Sequence, residues 1–334
     1  MNEQILDNIN DIFSKKRNIV LIPHSSPDAD ALGSCLALYH FFIDNNNVNI
    51  ISPNEYTDIL NFLPGSEDVI VYENDKEKSE NLFKDADVIF TLDFNSLGRA
   101  RNLSSLISES SAKIIMIDHH ENPDNYANIM ISDSKMSSTC EMVYNIIKDM
   151  DPNGFTPDIS ECLYTGIMTD TGSFRYPATT PATHRAIAHL IETGASGTEI
   201  HQRIYDSASF SRLKLLGLTL SNLKQIPNLP VVYMTLSQKE LNSCDYKKGD
   251  TEGFVNYGLS LEGIIFSCIM IENENEGIIK ISFRSQGEFS VNDFARSYFN
   301  GGGHHNAAGG MSSDSIETTV ARFIESVQEV AHKF

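Results

Sequence analysis

Basic residues are scarce in this sequence: 25 Lys and Arg stand against 45 Asp and Glu, a formal net charge of −20. A protein that grips long nucleic acid needs a basic track to displace counterions. The shortage argues against long duplex partners and leaves short nucleotides, held locally by metals and a few arginines. Cysteine is also sparse. Cys35, Cys140, Cys162, Cys244 and Cys268 are dispersed and form no C-x-x-C pair. They read as reduced, buried thiols of a cytoplasmic protein rather than as a disulfide framework. No apolar run approaches the roughly 20 residues a membrane helix needs. The start, Met1 to Asp7, has neither a basic region nor an apolar core, so no secretory signal is expected.

What is present describes a folded chain. Apolar residues make up 41% of it, without long charged or low-complexity tracts, which places it among globular proteins. At 334 residues it exceeds what one hydrophobic core usually holds, so two domains are expected. Near-continuous apolar runs recur at 18–22, 48–51, 68–72, 87–92 and 113–117. Continuity rather than alternation predicts strands covered on both faces. Helical stretches lie between them. Asp30 to Asp44 carries Leu32, Cys35, Leu36, Tyr39 and Phe42 on one side. Ser138-Thr-Cys-Glu141 reads as a capping box ahead of Val143, Ile146, Ile147 and Met150. Ile159 to Met168 predicts a further helix. Strands alternating with helices imply a mostly parallel α/β sheet. A helical stretch from Thr198 to about Leu223 follows, and Ile226–Pro230 breaks it before a second strand-rich region that begins at Val231. The expected division is 1–192 for the first domain, 193–228 for a helical linker, and 229–334 for a smaller mixed α/β domain.

In parallel α/β sheets, ligand sites gather at the carboxyl ends of strands. His24, with Asp28 and Asp30, follows the first run; Asp93 follows the fourth; Asp118-His119-His120 follows the fifth; Asp170 follows the Ile159–Met168 helix. Taken singly, an Asp at a strand end is usually a helix cap or turn residue, and Asp30 is placed to cap the helix it precedes. Repeated on successive β→α turns, such groups describe a site for divalent metals. Carboxylates with two histidines and no cysteine favour Mn²⁺ or Mg²⁺, with Zn²⁺, Co²⁺ or Fe²⁺ compatible. Six protein ligands exceed what one catalytic ion uses. Two ions roughly 3.5–4 Å apart fit better, with Asp93 as the bridging carboxylate.

Near the C-terminus, Gly301-Gly-Gly-His-His-Asn-Ala-Ala-Gly-Gly310 forms a Gly-rich loop. Glycines let backbone amides approach a phosphate closely. Upstream, Arg284 in Ser282-Phe-Arg-Ser285 offers a bidentate fork to the same kind of group. Arg99 and Arg175 are softer candidates, for which phosphate contact and a structural salt bridge weigh about equally. Phe294 and Phe299 read as packing residues, with base stacking as the alternative. His40, His184, His189 and His201 read as structural or surface residues.

This series resembles the DHH phosphoesterase superfamily, named for the triplet that Asp118-His119-His120 matches. The resemblance implies metal ligands at His24, Asp28, Asp30, Asp93, His119 and Asp170. It implies that Asp118 orients a ligand and that His120 faces the substrate phosphate, so His120, Asp118 and Asp93 are the expected catalytic residues. The Gly-rich loop with Arg284 resembles a DHHA1 domain. That implies substrate contacts from Ser282, Arg284, Gly302, Gly303, His304 and His305, and an active site in the cleft between the domains. Length and motif order resemble the bacterial nanoRNase/pAp phosphatase group, whose members degrade RNA oligomers of a few nucleotides and dephosphorylate 3′-phosphoadenosine 5′-phosphate (pAp). The expected protein is therefore a metal-dependent phosphodiesterase and 3′-phosphatase using two divalent ions, Mn²⁺ first and Mg²⁺ or Co²⁺ as alternatives. Water would attack phosphorus in line with the leaving ribose 3′-oxygen. Short RNA and pAp are the expected partners, without a membrane, and a homodimer is a state that related proteins often take. The alternative within the superfamily is a linear or cyclic dinucleotide phosphodiesterase. The alternative of another class is an inactive nucleotide-binding regulatory module, against which the intact ligand set argues.

Overall fold

The near-continuous apolar runs form a parallel sheet. A computed structural model describes residue 12, residues 15–247 and residues 249–334, and at residue 304 the backbone alone. The chain divides between Ser207 and Ala208 into two compact units. In the first, β1 (Asn18–Pro23), β2 (Asn47–Ser52), β3 (Ile70–Val71), β4 (Val88–Leu92), β5 (Lys113–Asp118) and β6 (Ile129–Ser132) lie in the order β3-β2-β1-β4-β5-β6. All pairings are parallel. The helices are α1 (Ala29–Phe42), α2 (Lys76–Asp85), α3 (Ser104–Ser108), α4 (Thr139–Met150), α5 (Pro157–Asp170), α6 (Pro181–Glu192) and α7 (Gly197–Tyr205). Leu21, Phe90 and Ile115 point into one core with α1, α4 and α5, while Val20, Ile89 and Ile114 point into another with α2 and α3. Burial of both faces explains why these strands do not alternate.

Strand order reverses between β1 and β4, the switch point where open α/β sheets bind ligands. Register does the rest. Pro23 pairs with Leu92, and Leu92 with Ile117. The residues that come next, His24, Asp93 and Asp118, therefore emerge side by side on one rim.

Local details depart from the sequence pattern in five places. Asp28, not Asp30, caps α1, its Oδ1 accepting from the amides of Asp30 and Ala31 at 3.0 Å each. Only half the capping box at α4 forms: Ser138 accepts from the Glu141 amide, but the Glu141 carboxylate turns to the hydroxyls of Ser137 and Thr183. Helix α5 runs two residues past Met168 and so contains Asp170. Strand β6 was not anticipated. The helical stretch 198–223 is two helices, because Ser209 starts a new one, accepting from the Arg212 amide.

The second unit comprises α8 (Phe210–Ser221), β7 (Lys224–Gln225), β8 (Val231–Leu236), α9 (Gln238–Ser243), β9 (Phe266–Asn273), β10 (Ile278–Ser285), α10 (Val291–Tyr298), β11 (Gly302–His304), β12 (Ala307–Ser312) and α11 (Ile316–Glu329). Its mixed sheet has the order β11-β12-β10-β9-β8-β7, with β8 and β9 parallel. One face packs Phe266, Phe283, Phe294, Phe299 and Phe323 into a core, so Phe294 and Phe299 are packing residues. All five cysteines are buried and free. No described helix is long and apolar enough to cross a membrane.

Two glycines let α5 approach α1 and α4 closely. A Cβ on Gly33 would lie 2.6 Å from the Cys162 carbonyl oxygen, and one on Gly166 would lie 2.2 Å from Cys140 Sγ and 3.0 Å from Asp30 Oδ1. This contact holds the end of α5, with Asp170, beside the start of α1, with Asp30. Gly166→Ala should overpack the contact and cost about 1–3 kcal/mol, read as a lower denaturation midpoint. An unchanged midpoint would show that the helices have slack.

Candidate metal centre

Asp93 stands at the middle of the rim. Its backbone is left-handed, at φ 65°, a conformation that costs a non-glycine residue roughly 1–3 kcal/mol. The amide is anchored to the Ile117 carbonyl at 3.0 Å, and the carboxylate is buried. Its two oxygens serve different neighbours. Oδ2 lies 3.4 Å from His24 Nε2, which is itself 3.7 Å from Asp28 Oδ2. Oδ1 lies 3.5 Å from His119 Nε2, which is also 3.4 Å from Asp170 Oδ2 and 3.9 Å from Asp30 Oδ2. The structure thus brings together all six groups proposed from the sequence. They form two sets, His24/Asp28/Asp93 and Asp30/His119/Asp170, each with ligand atoms within 4.8 Å of one another.

Both histidines are turned to offer Nε2. The Nδ1 of His24 meets the Ser25 carbonyl at 3.0 Å, and that of His119 meets the Met136 carbonyl at 3.3 Å. A carbonyl only accepts, so Nδ1 carries the proton in each. Nε2 of His24 is buried and has no aligned hydrogen-bond partner among the described residues. A buried polar atom left this way needs another partner. Imidazole nitrogen and carboxylate oxygen together suit a divalent cation.

His120 differs. Its Nδ1 lies 2.7 Å from Asp118 Oδ1, and its amide donates to Asp118 Oδ2 at 3.1 Å. Its Nε2 lies 2.8 Å from Arg99 Nη1. A guanidinium only donates, so this Nε2 accepts, and Nδ1 carries the proton toward Asp118. The same Nδ1 is 3.7 Å from Asp93 Oδ1, but a nitrogen that donates to Asp118 has no lone pair for a metal. Asp118 therefore orients His120 and not the adjacent His119.

The charges are unbalanced. Burial lowers the His24 pKa, but Asp28 and Asp93 outweigh it and raise the imidazole to about 10. Burial also lowers His119, and the charges of Asp93 and Asp30 outweigh it there too, for a net rise. Burial, reinforced by neighbouring carboxylates, lifts Asp30 and Asp170 well above the usual range. Burial would lift Asp93 as well, but contact with His24 and the imidazoles around it pull it down. Without added positive charge, His24, His119, Asp30 and Asp170 are shifted toward holding protons that a bound cation would displace.

Some contributors escaped sequence reasoning. The amides of Thr139 and Cys140, at the start of α4, donate to Asp30 at 2.7 and 2.8 Å, and the Thr139 hydroxyl donates to Asp93 Oδ1 at 2.8 Å. The helix start was legible, and a helix N-terminus attracts a carboxylate, but nothing local names its partner. Arg175 is exposed, and its Nε donates to the Gly172 carbonyl at 2.7 Å.

Of the residues singled out in the second unit, Ser282, Arg284, Gly302 and His304 are neighbours on its sheet. Ser282 pairs with Gly309, which pairs with Gly302; Arg284 pairs with Ala307, which pairs with His304. Residues opposite one another across antiparallel strands share a face. Arg284 Nη1 donates to the Phe283 carbonyl at 2.9 Å. The Gly303 amide donates to Asn292 Oδ1 at 2.9 Å, so it already has a protein partner. His305 is exposed, and its carbonyl accepts from the Val291 amide at 2.8 Å. The side chain of His304 lies outside the described residues.

Cation loading at neutral pH should release protons, that of His24 among them, and cation affinity should fall as pH falls, because protons compete for the same atoms. Calorimetry in buffers of different ionisation enthalpy reads this directly. Binding heats independent of buffer would contradict it.

Residues 18–167 match the DHH family, N-terminal domain, and residues 228–333 match the DHHA1 domain. The chain is 28% identical over 294 residues to the bifunctional oligoribonuclease and PAP phosphatase NrnA of Bacillus subtilis, spanning 87% of this chain and 88% of that protein. It is 28% identical over 314 residues to the Thermus thermophilus protein of the same name, spanning 93% and 89%. Among solved structures, an exopolyphosphatase-related protein from Bacteroides fragilis is 39% identical, with a TM-score of 0.96 over 98% of this chain and 97% of that one. The chain belongs to the DHH family, carries a DHHA1 domain as its second unit, and is a hydrolase.

Proposed function

We propose that this protein hydrolyses short RNA oligonucleotides to mononucleotides and pAp to AMP. It would do so in the cytoplasm, with two divalent cations, Mn²⁺ foremost, at His24, Asp28, Asp30, Asp93, His119 and Asp170. The observation that carries this reading is the divided Asp93 carboxylate, with Oδ2 toward His24 and Oδ1 toward His119. A ligand set lies on each side of one shared group, as a pair of ions requires. Mg²⁺ or Co²⁺ would suit the same donors. The names of the relatives at 28% identity support the substrates. Bound divalent cations supply Lewis acidity and a more acidic water for attack on phosphorus.

The chain's own residues supply position and proton control. Asp118 fixes the His120 ring, so that Nε2 is turned from Asp118 toward Arg99, on the side where the substrate phosphoryl group would lie. To stabilise charge on the phosphoryl group or help protonate the leaving 3′-oxygen, His120 would release the Arg99 hydrogen bond and take up a proton at Nε2. The DHHA1 unit, joined through the helical link 193–228, would hold the rest of the substrate. Ser282 and Arg284 are the side chains for that role, with Gly302, Gly303, His304 and His305 beside them. Among the described residues, a Cβ on Gly309 would meet only the Ile281 oxygen, at 3.6 Å. Packing therefore does not require glycine there, and the bare backbone suits close approach by a ligand. A net charge of −20 repels long polyanions and favours short substrates.

With Mn²⁺, the purified protein should release mononucleotides from di- to pentaribonucleotides and phosphate from pAp. Asp93→Ala and His119→Ala should abolish both activities. Arg284→Ala should mainly raise KM. Asp118→Asn should lower kcat while leaving cation affinity intact, because it removes one of the two acceptors and the charge that hold His120 without touching a ligand. Strong hydrolysis of inorganic pyrophosphate with none of dinucleotides would overturn the substrate assignment.

A further inference from the structure

The loop after β4 carries a cation that no described ion pair uses. Arg99 is half-buried. Its carbonyl accepts from the Ser25 amide at 2.8 Å, which ties its loop to the one that starts at His24. Its Nη1 donates to His120 Nε2 at 2.8 Å. Among the described residues its side chain makes that hydrogen bond and no ion pair. The structural salt bridge that would explain Arg99 without a ligand is therefore not there. In a chain with 45 acidic and 25 basic residues, carboxylates are plentiful. Two carboxylates that meet the His120 ring are committed elsewhere: Asp118 to His120 itself, and Asp93 to His24, His119 and Thr139.

Holding His120 does not account for a guanidinium at this position. An accepting imidazole nitrogen takes one hydrogen bond, whereas a guanidinium has five donors in a planar fork. A neutral imidazole also leaves the positive charge unbalanced. With divalent cations in the neighbouring cluster, Arg99 would face like charge across His120, a repulsion that water screens poorly at a half-buried site. An anion lying between them turns that repulsion into two attractions. Tetrahedral phosphoryl oxygens match the fork and can bridge it to the cluster.

We propose that Arg99 anchors the phosphoryl group of the substrate within the DHH unit. This rests on the phosphoester reading above and goes beyond it by assigning a phosphate contact outside the DHHA1 domain. Because Arg99 grips the reacting phosphoryl group and not a base, it serves oligonucleotides and pAp alike.

Three variants test this: Arg99→Gln, which keeps a donor for His120 but loses the charge and the fork; Arg99→Lys, which keeps the charge alone; and Arg99→Ala. Calorimetry measures binding of inorganic phosphate to the Mn²⁺-loaded protein, binding of Mn²⁺ itself, and thermal melting, beside KM and kcat on pAp and a diribonucleotide. Arg99→Gln should weaken phosphate binding roughly tenfold to a hundredfold, with Mn²⁺ affinity and melting unchanged. Arg99→Lys should recover part of that loss, and the loss in kcat/KM should be similar for both substrates. Wild-type phosphate binding in Arg99→Gln would overturn the proposal and reduce Arg99 to a residue that positions His120. Loss of Mn²⁺ affinity or of folding in both Arg99→Gln and Arg99→Lys would overturn it in favour of a structural role. A wild-type protein that cleaves no phosphoester and binds no phosphate would sink the functional reading and this assignment together. Activity on both substrates with Arg99→Gln unimpaired would sink this assignment alone.

Discussion

Four carboxylates crowd around two imidazoles at one end of a parallel sheet, and the repulsion among them is the constraint on which the site depends. Like charges this close favour either protonation or a cation. His24, His119, Asp30 and Asp170 all have pKa values raised toward holding protons. Such crowding survives only where the scaffold leaves no alternative. Here β1, β4 and β5 set the rim in register, Gly33 and Gly166 clamp α1 to α5, and the α4 amides hold Asp30. Asp93 adds backbone strain of its own. Rigidity in the supporting elements is what makes an unfavourable charge arrangement available for chemistry.

That arrangement also explains how a strongly acidic protein can take an anionic substrate. Positive charge need not be spread over the surface as in proteins that track long nucleic acid. It can be confined to cations in one cluster and to a few guanidiniums, Arg99 in the first unit and Arg284 in the second. Roles divide accordingly in the proposed reaction. In that proposal the DHH unit would handle the phosphorus, and the DHHA1 unit the remainder of the nucleotide.

Much of this was legible in the sequence because the relevant signals are local. Strands buried on both faces appear as unbroken apolar runs, and the polar residues after Ile22, Leu92 and Ile117 mark the binding rim. Five of the six acidic and imidazole groups could be picked out on that basis, with Asp170 placed instead after the Ile159–Met168 helix, and the family resemblance joined them into one ligand set. What stayed hidden depends on contacts remote in sequence. Strand order, which puts β1 beside β4, comes from pairing and not from any local pattern. The contacts of Thr139 and Cys140 with Asp30, and of Arg99 with His120, arise only once the sheet has closed. Asp30 is the cap that the sequence suggests, but helix geometry gives that role to Asp28, leaving Asp30 to point at α4. The box at Ser138 was half right because Glu141 found two hydroxyls that the sequence could not place near it. In the second unit, the amide of Gly303 went to Asn292, a competitor invisible in a Gly-rich string.

The most direct test of the central claim is the position of the cations. Anomalous diffraction from a crystal grown with Mn²⁺ would locate them. Two peaks per chain are expected, both within coordination distance of Asp93, one shared with His24 and Asp28 and the other with Asp30, His119 and Asp170. A single peak, or peaks remote from Asp93, would contradict a two-cation centre in this protein.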